Sequence, residues 1–212
     1  AAATISRDLQ ADLYLVGGAV RDMLMDRFTG KDIDFVIESD FFIPVTSALT
    51  KSLNATLIPW HNNHRRLSAR RGASAACTID IARMQDSSIS KDLQQRDFSI
   101  NAMAVNVRSL VPGKPLSILD PYAGQKDIRS RLIRTISNEA FNRDPLRMLR
   151  AFRFCRQLDF SVEPDTAALI RKKAPLLKNV SQERINREFF TILHYPNTSD
   201  SLETLYETGL LN

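Results

Sequence analysis

No stretch of the sequence approaches the ~18 consecutive apolar residues that a membrane-spanning helix requires, and the Ala-rich start lacks the basic and apolar regions of a secretory signal. There are only two cysteines, Cys77 in a strand-like run and Cys155 in a helix-like run. That scarcity argues against a disulfide framework, makes both small core residues, and leaves the cytoplasm as the default compartment. Histidine is equally sparse: His61 and His64 share a polar stretch with Arg65 and Arg66, and His194 is distant. Without further ligands around them a zinc site is not expected, and they read as surface or strand-edge residues. There are no internal repeats or low-complexity tracts, and no initiator Met precedes Ala1, which points to processing or trimming.

What is present is a chain of 212 residues, 43% hydrophobic and 25% charged, enough for one good core and a smaller second one. The net charge of +5 is unevenly placed. Residues 131 to 187 carry 13 Lys/Arg against 6 Asp/Glu, leaving 16 against 18 elsewhere. A local basic surface of that kind suits a polyanion, although a solvated helical face has the same composition.

Leu13-Tyr14-Leu15-Val16 reads as a strand stopped by Gly17-Gly18, with a short helix from Val20 to Arg27. Ile33 to Ile37 alternates as a strand, which places Asp32 and Asp34 on one face and Ile33, Phe35 and Ile37 on the other. A helix is expected from Val45 to Leu53. Strands are expected around Ala55 to Ile58, Arg66 to Ala69 and Cys77 to Ile81, a polar loop from Asp86 to Lys91, and a strand or a helix leading into one from Ile100 to Val107. After the turn at Asp120 to Gly124 the pattern changes to long apolar-and-basic helical periods, Pro145 to Leu158, Asp165 to Lys173 and Ser181 to His194. The expected fold is α+β: a head domain, residues 1–135, with a small mixed or antiparallel sheet and flanking helices, then an all-helical neck, residues 136–212.

Phosphoryl transfer needs metal ions and fixed positive groups more than covalent help. Asp32 and Asp34 on one strand face are candidate ligands for Mg²⁺, and Asp80 in Thr78-Ile79-Asp80-Ile81 is the best candidate for a third acid, as metal ligand or base. A lone Asp-x-Asp at a strand end is also what a solvated edge contains. Gly17-Gly18 before a helix lets backbone N–H groups approach phosphate oxygens, and Arg21 lies one turn further on. The turn fits neither the dinucleotide-binding nor the P-loop glycine pattern.

Leu15-Val16-Gly17-Gly18-Ala19-Val20-Arg21-Asp22 together with Asp32-Ile33-Asp34 resembles the signature of nucleotidyltransferases related to DNA polymerase beta. Arg96-Asp97-Phe98-Ser99-Ile100-Asn101-Ala102 resembles the second motif of the class II CCA-adding enzyme and bacterial poly(A) polymerase family. Asp120 to Asp127 resembles that family's hinge motif, Asp144-Pro145-Leu146-Arg147-Met148-Leu149-Arg150-Ala151-Phe152-Arg153 its nucleotide-selecting motif, and Ser181-Gln182-Glu183-Arg184-Ile185 the last of the series. The resemblance implies an enzyme that adds CMP or AMP, from CTP or ATP, to the 3′ end of RNA without a template, with tRNA as the expected RNA; a poly(A) polymerase of the same family and a non-catalytic RNA- or nucleotide-binding module are the alternatives. By the same resemblance Asp32 and Asp34 bind Mg²⁺. Gly17, Gly18, Arg21, Arg96, Asp97 and Asn101 surround the nucleotide, Asp144 and Arg147 read the base edge, and Arg150 and Arg153 support it or touch phosphate.

The base-reading pair also makes physical sense, since a carboxylate accepts from an exocyclic amine while a guanidinium donates to a ring nitrogen or carbonyl. Asp144 is equally suited to cap the helix that begins at Pro145. The apolar residues around Arg147, Arg150 and Arg153 imply a largely buried helix in which unpaired guanidiniums are costly, so a ligand cleft is expected. The chain departs from the family at Gln95, where a second Arg is usual, at Arg143, which replaces an acid, and in the short Met84 to Asp92 loop. It stops at Asn212, where the family usually continues into helical body and tail domains. Trp60 is expected to pack rather than to stack on RNA, and Lys172-Lys173 to lie in water or on RNA phosphates. Oligomeric state is not legible.

Overall fold

The computed structural model describes residues 1–70, 76–84, 88–196 and 198–211, the side chains of 59–61, 70, 76 and 198–201 excepted. The expectations for Trp60 and His61, and part of the Asp86 to Lys91 loop, lie outside the described residues. Among the described residues no helix is long and apolar enough to cross a membrane. The chain forms two compact units, Ala1–Gln94 with Asn101–Tyr122, and Gln95–Ile100 with Ala123–Asn212.

The first unit is built on a six-stranded mixed sheet. Its elements are α1 (Ala2–Asp8), β1 (Leu13–Val16), α2 (Gly18–Leu24), β2 (Asp32–Ile37), α3 (Phe42–Ser52), β3 (Thr56–His61), β4 (His64–Arg70), β5 (Ala76–Arg83), α4 (Ile89–Leu93) and β6 (Ala104–Asn106). The strand order is β3-β4-β5-β2-β1-β6, with β2 and β5 parallel and the other pairs antiparallel. The α+β expectation is met. The parallel pair arises because α3 and the β3–β4 hairpin intervene between β2 and β5, long enough for a crossover. Helix α3 buries Phe42, Val45, Thr46 and Leu49, the i, i+3, i+4, i+7 stripe of a helix laid against a core. Two helices of this unit were not expected. Helix α1 has no sequence cap, and α4 occupies part of the expected polar loop because Ser88 accepts from the Lys91 backbone N–H as an N-cap.

The second unit contains α5 (Gly124–Ser130), β7 (Leu132–Ile133), α6 (Ala140–Arg143), α7 (Arg147–Leu158), β8 (Ser161–Val162), α8 (Pro164–Lys173), α9 (Gln182–Leu193) and α10 (Thr198–Glu207). It is helical except for the parallel β7–β8 pair, whose two-residue strands are too short to leave a periodic signal. Helix α7 buries Met148, Leu149, Ala151, Phe152, Phe154 and Leu158. Phe98 meets Phe154 edge-on at 5.8 Å between ring centroids, and the Ser99 N–H donates to the Arg134 carbonyl at 2.9 Å. Those contacts tie the segment Gln95–Ile100 to the helical unit.

Candidate functional site

In the first unit, β2 runs from water into the core: Asp32 and Asp34 are exposed, whereas Val36, on the same face, is 2% exposed. The two carboxylates therefore share an open face at the start of a central strand. Asp34 is in register with Val16 of β1 and with Asp80 of β5. Because Val16 leads directly into Gly17, the sheet sets the glycine turn beside Asp34, and Asp80 lies one strand spacing, about 4.8 Å, on the other side.

Asp80 is brought to the row, yet its carboxylate is already engaged. Arg66 donates from Nε to Oδ1 at 2.7 Å and from Nη2 to Oδ2 at 2.8 Å, and His64 Nε2 lies 3.7 Å from Oδ1. Among the described residues no group of three or more His, Cys, Asp and Glu is arranged to hold a metal ion. The donor chemistry of Asp32 and Asp34 fits Mg²⁺, a hard cation commonly held by one or two carboxylates plus substrate phosphates.

Gly17 has φ 68 and ψ −138, a backbone conformation that essentially only glycine adopts. A Cβ on Gly18 would come within 3.3 Å of Arg21 Nη2. Arg21 is only 4% exposed and is clamped on both sides: Nε donates to Asp22 Oδ1 at 2.8 Å and Nη1 to Asn101 Oδ1 at 2.8 Å. Asn101 thus orients Arg21, so the second motif supports the first.

The second unit gathers the other predicted residues around α7. Asp97, 6% exposed, accepts on Oδ2 from Arg150 Nη2 at 2.6 Å and Nε at 3.0 Å, and on Oδ1 from the Phe98 N–H at 2.8 Å. Arg147 donates to the carbonyls of Gln95 at 2.6 Å and Arg96 at 3.0 Å. Arg153 Nε donates to Glu188 at 2.6 Å, and Arg150 Nη1 lies 3.8 Å from the same carboxylate. Asp144 accepts from the Leu146 N–H at 3.3 Å, as a cap does, and from Arg184 Nη2 at 3.0 Å.

The guanidiniums that the sequence left needing an explanation are thus met within the unit by Asp97, Glu188 and backbone carbonyls. Burial pulls Arg147 below the ordinary arginine value. Arg150 is also desolvated, but the charge and hydrogen bond of Asp97, with Glu188 and Asp144, outweigh burial and raise it. Sequence reasoning missed Glu188 and gave Arg184 no role. The one available signal was an acid at 188, one turn after Arg184 on the same helix.

The mixed sheet, with its Asp-x-Asp strand beside a glycine turn, falls within the part of the chain that matches a polymerase head domain. Residues 13–134 match the family described as "Poly A polymerase head domain", and residues 159–212 match "Probable RNA and SrmB- binding site of polymerase A". The chain belongs to the poly A polymerase head-domain family. It is 38% identical to a CC-adding tRNA nucleotidyltransferase of Geobacter sulfurreducens over 197 residues, 92% of this chain and 43% of that one. With a CCA-adding enzyme of Bacillus subtilis it shares 35% over 208 residues, covering 93% and 50%. The Thermotoga maritima CCA-adding enzyme complexed with tRNA_CCA superposes with a TM-score of 0.86 at 29% identity, over 99% of this chain and 50% of that one. The chain thus spans about half the length of these relatives.

Proposed function

We propose that this chain is the nucleotidyl-transfer part of a template-independent enzyme that adds CMP and/or AMP, from CTP or ATP, to the 3′ end of an RNA, with tRNA as the expected substrate. Residues 1–135 serve as head and 136–212 as the nucleotide-selecting and RNA-binding neck. The observation that carries this is the exposed Asp32/Asp34 pair on one face of β2, set by register beside the Gly17–Gly18 turn, in a chain of this family.

In this reading Asp32 and Asp34 hold Mg²⁺, which when bound supplies positive charge to phosphate oxygens and favours ionisation of the attacking 3′-hydroxyl. The backbone N–H groups of the glycine turn face the triphosphate, and Arg21, pre-oriented by Asp22 and Asn101, gives a fixed cation at little entropic cost. Asp80 contributes to the same row of charge. In the second unit, Asp144 offers a carboxylate oxygen to an exocyclic amine, and Arg147, its guanidinium plane set by the Gln95 and Arg96 carbonyls, donates to the base edge. Arg96 and Asp97 belong to the nucleotide-binding set. Arg150 and Arg153 brace it through Asp97 and Glu188, with cation–π contacts to Phe154 at 5.4 and 4.3 Å.

The test supplies each nucleoside triphosphate separately, with Mg²⁺, to the full-length protein and tRNA ending before, within and after CCA, and sequences the products. Incorporation that is lost in Asp32→Ala and Asp34→Ala supports the proposal. Long A tails point to a poly(A) polymerase, and RNA binding without incorporation points to a non-catalytic module.

A further inference from the structure

The row of charge across the sheet contains one member of opposite sign. Arg66 on β4 is the antiparallel register partner of Asp80 on β5, and Asp80 is the parallel partner of Asp34 on β2. Direct register partners point to the same face, so Arg66, Asp80 and Asp34 form a line across three adjacent strands, with Asp32 two residues along the same face. The two-pronged Arg66 contact engages both oxygens of Asp80 at 2.7 and 2.8 Å, the geometry in which arginine binds carboxylate best. The register sets the guanidinium on the same sheet face as Asp34 and Asp32, two strands away from them.

We infer that Arg66 is a built-in counter-ion that withholds Asp80 from the cation site and holds down the affinity of the Asp32/Asp34 pair for a divalent ion. This inference rests on the proposal that Asp32 and Asp34 bind metal. Two physical effects act together. A carboxylate already ion-paired is a poor ligand for a second cation, and a fixed positive charge on the same face repels an approaching one. Replacing Arg66 by a neutral residue removes the repulsion and releases a third carboxylate, and hard cations bind more tightly as charged ligands are added.

The test is titration of Mn²⁺, followed by electron paramagnetic resonance of the free ion, into nucleotide-free protein. Arg66→Gln is expected to bind Mn²⁺ about tenfold more tightly than the native sequence. Arg66→Lys, which keeps the charge without the two-pronged grip, is expected between the two, and it preserves the charge balance should Arg66→Gln fold poorly. The double variant Arg66→Gln/Asp80→Asn is expected to return to near the native affinity, because the released carboxylate is then gone. Unchanged affinity in both single variants, or a double variant as tight as Arg66→Gln, overturns the inference. Asp32→Ala separates the two levels. Native binding that is lost in Asp32→Ala while the Arg66 variants stay unchanged overturns this inference alone; native binding that survives Asp32→Ala overturns the metal-pair proposal and this inference with it.

Discussion

Replacing Asp97 by Ala tests the claim that a buried carboxylate of the second unit holds the Arg150 guanidinium of α7. The side chain is 7% exposed and its Oδ2 lies 2.6 Å from Arg150 Nη2, while Oδ1 caps the Phe98 N–H at 2.8 Å. The substitution removes two charge-assisted hydrogen bonds and one backbone acceptor, and leaves Arg150 without its main partner. A fully buried ion pair broken in this way costs about 3–5 kcal/mol. Arg150 retains 33% exposure and has Glu188 at 3.8 Å, so water and a second acid recover part of the loss. The expected cost is about 2–3 kcal/mol, which at ~2–4 °C per kcal/mol for a chain of this size lowers Tm by about 4–12 °C.

The assay is urea unfolding followed by far-ultraviolet circular dichroism, with Asp159→Asn as the control, since asparagine tolerates the left-handed backbone of that position, φ 61. Asp159 is 92% exposed and lies 3.4 Å from an Arg131 that is 71% exposed; an ion pair of that kind contributes at most about 1 kcal/mol, so the control should be nearly silent. An Asp97→Ala variant within ~0.5 kcal/mol of the native protein, the ordinary scatter of surface substitutions, would refute the buried-carboxylate argument.

Gly17→Ala must place a Cβ on a residue with φ 68 and ψ −138; it should cost about 1–3 kcal/mol in the same unfolding assay and weaken ATP binding measured by calorimetry. Glu163 caps α8, and although burial alone would raise its pKa, the hydrogen bonds from Thr166 and the Asp165 backbone prevail and hold it below the ordinary glutamate value. A depressed folded-state pKa stabilises above the unfolded value and is lost as pH falls through the folded one. The stability difference between native protein and Glu163→Ala should therefore be full at neutral pH and shrink on acidification below the ordinary glutamate range; a difference that grows with acid contradicts the cap. Burial pushes the Cys155 thiol up to about 12, so iodoacetamide at pH 8 should label it slowly in the folded protein and rapidly in urea, as mass spectrometry of the Cys155 peptide can show.

Local chemistry left a clear trace wherever a residue's role depends on its immediate neighbours. Strand alternation put Asp32 and Asp34 on one face, and β2 forms where the alternation is. The paired glycines marked a turn that needs a conformation open to Gly17 alone. The heavily apolar run through Met148, Leu149, Phe152 and Phe154 marked α7 as a buried helix. Helix α4 was hidden because its signal is one serine cap on a polar five-residue segment, and β7 and β8 because two residues carry no period.

What the order of residues determined by itself is the set of parts: an open carboxylate pair on a strand, a glycine turn before a helix, and an arginine-bearing helix in a basic segment, each following from backbone periodicity and side-chain size over a few neighbouring positions. Pairing was decided only by the tertiary structure. Which strand lies beside β2, and in what register, sets Asp80 opposite Asp34 and Arg66 opposite Asp80. Packing of α9 against α7 brings Glu188 to Arg153, and the segment Gln95–Ile100 joins the helical unit although the residues on both sides of it do not. Charge partners distant along the chain have no periodic signature, because the hydrophobic burial that brings them together is not directional and leaves the choice of neighbour to the packing of the whole.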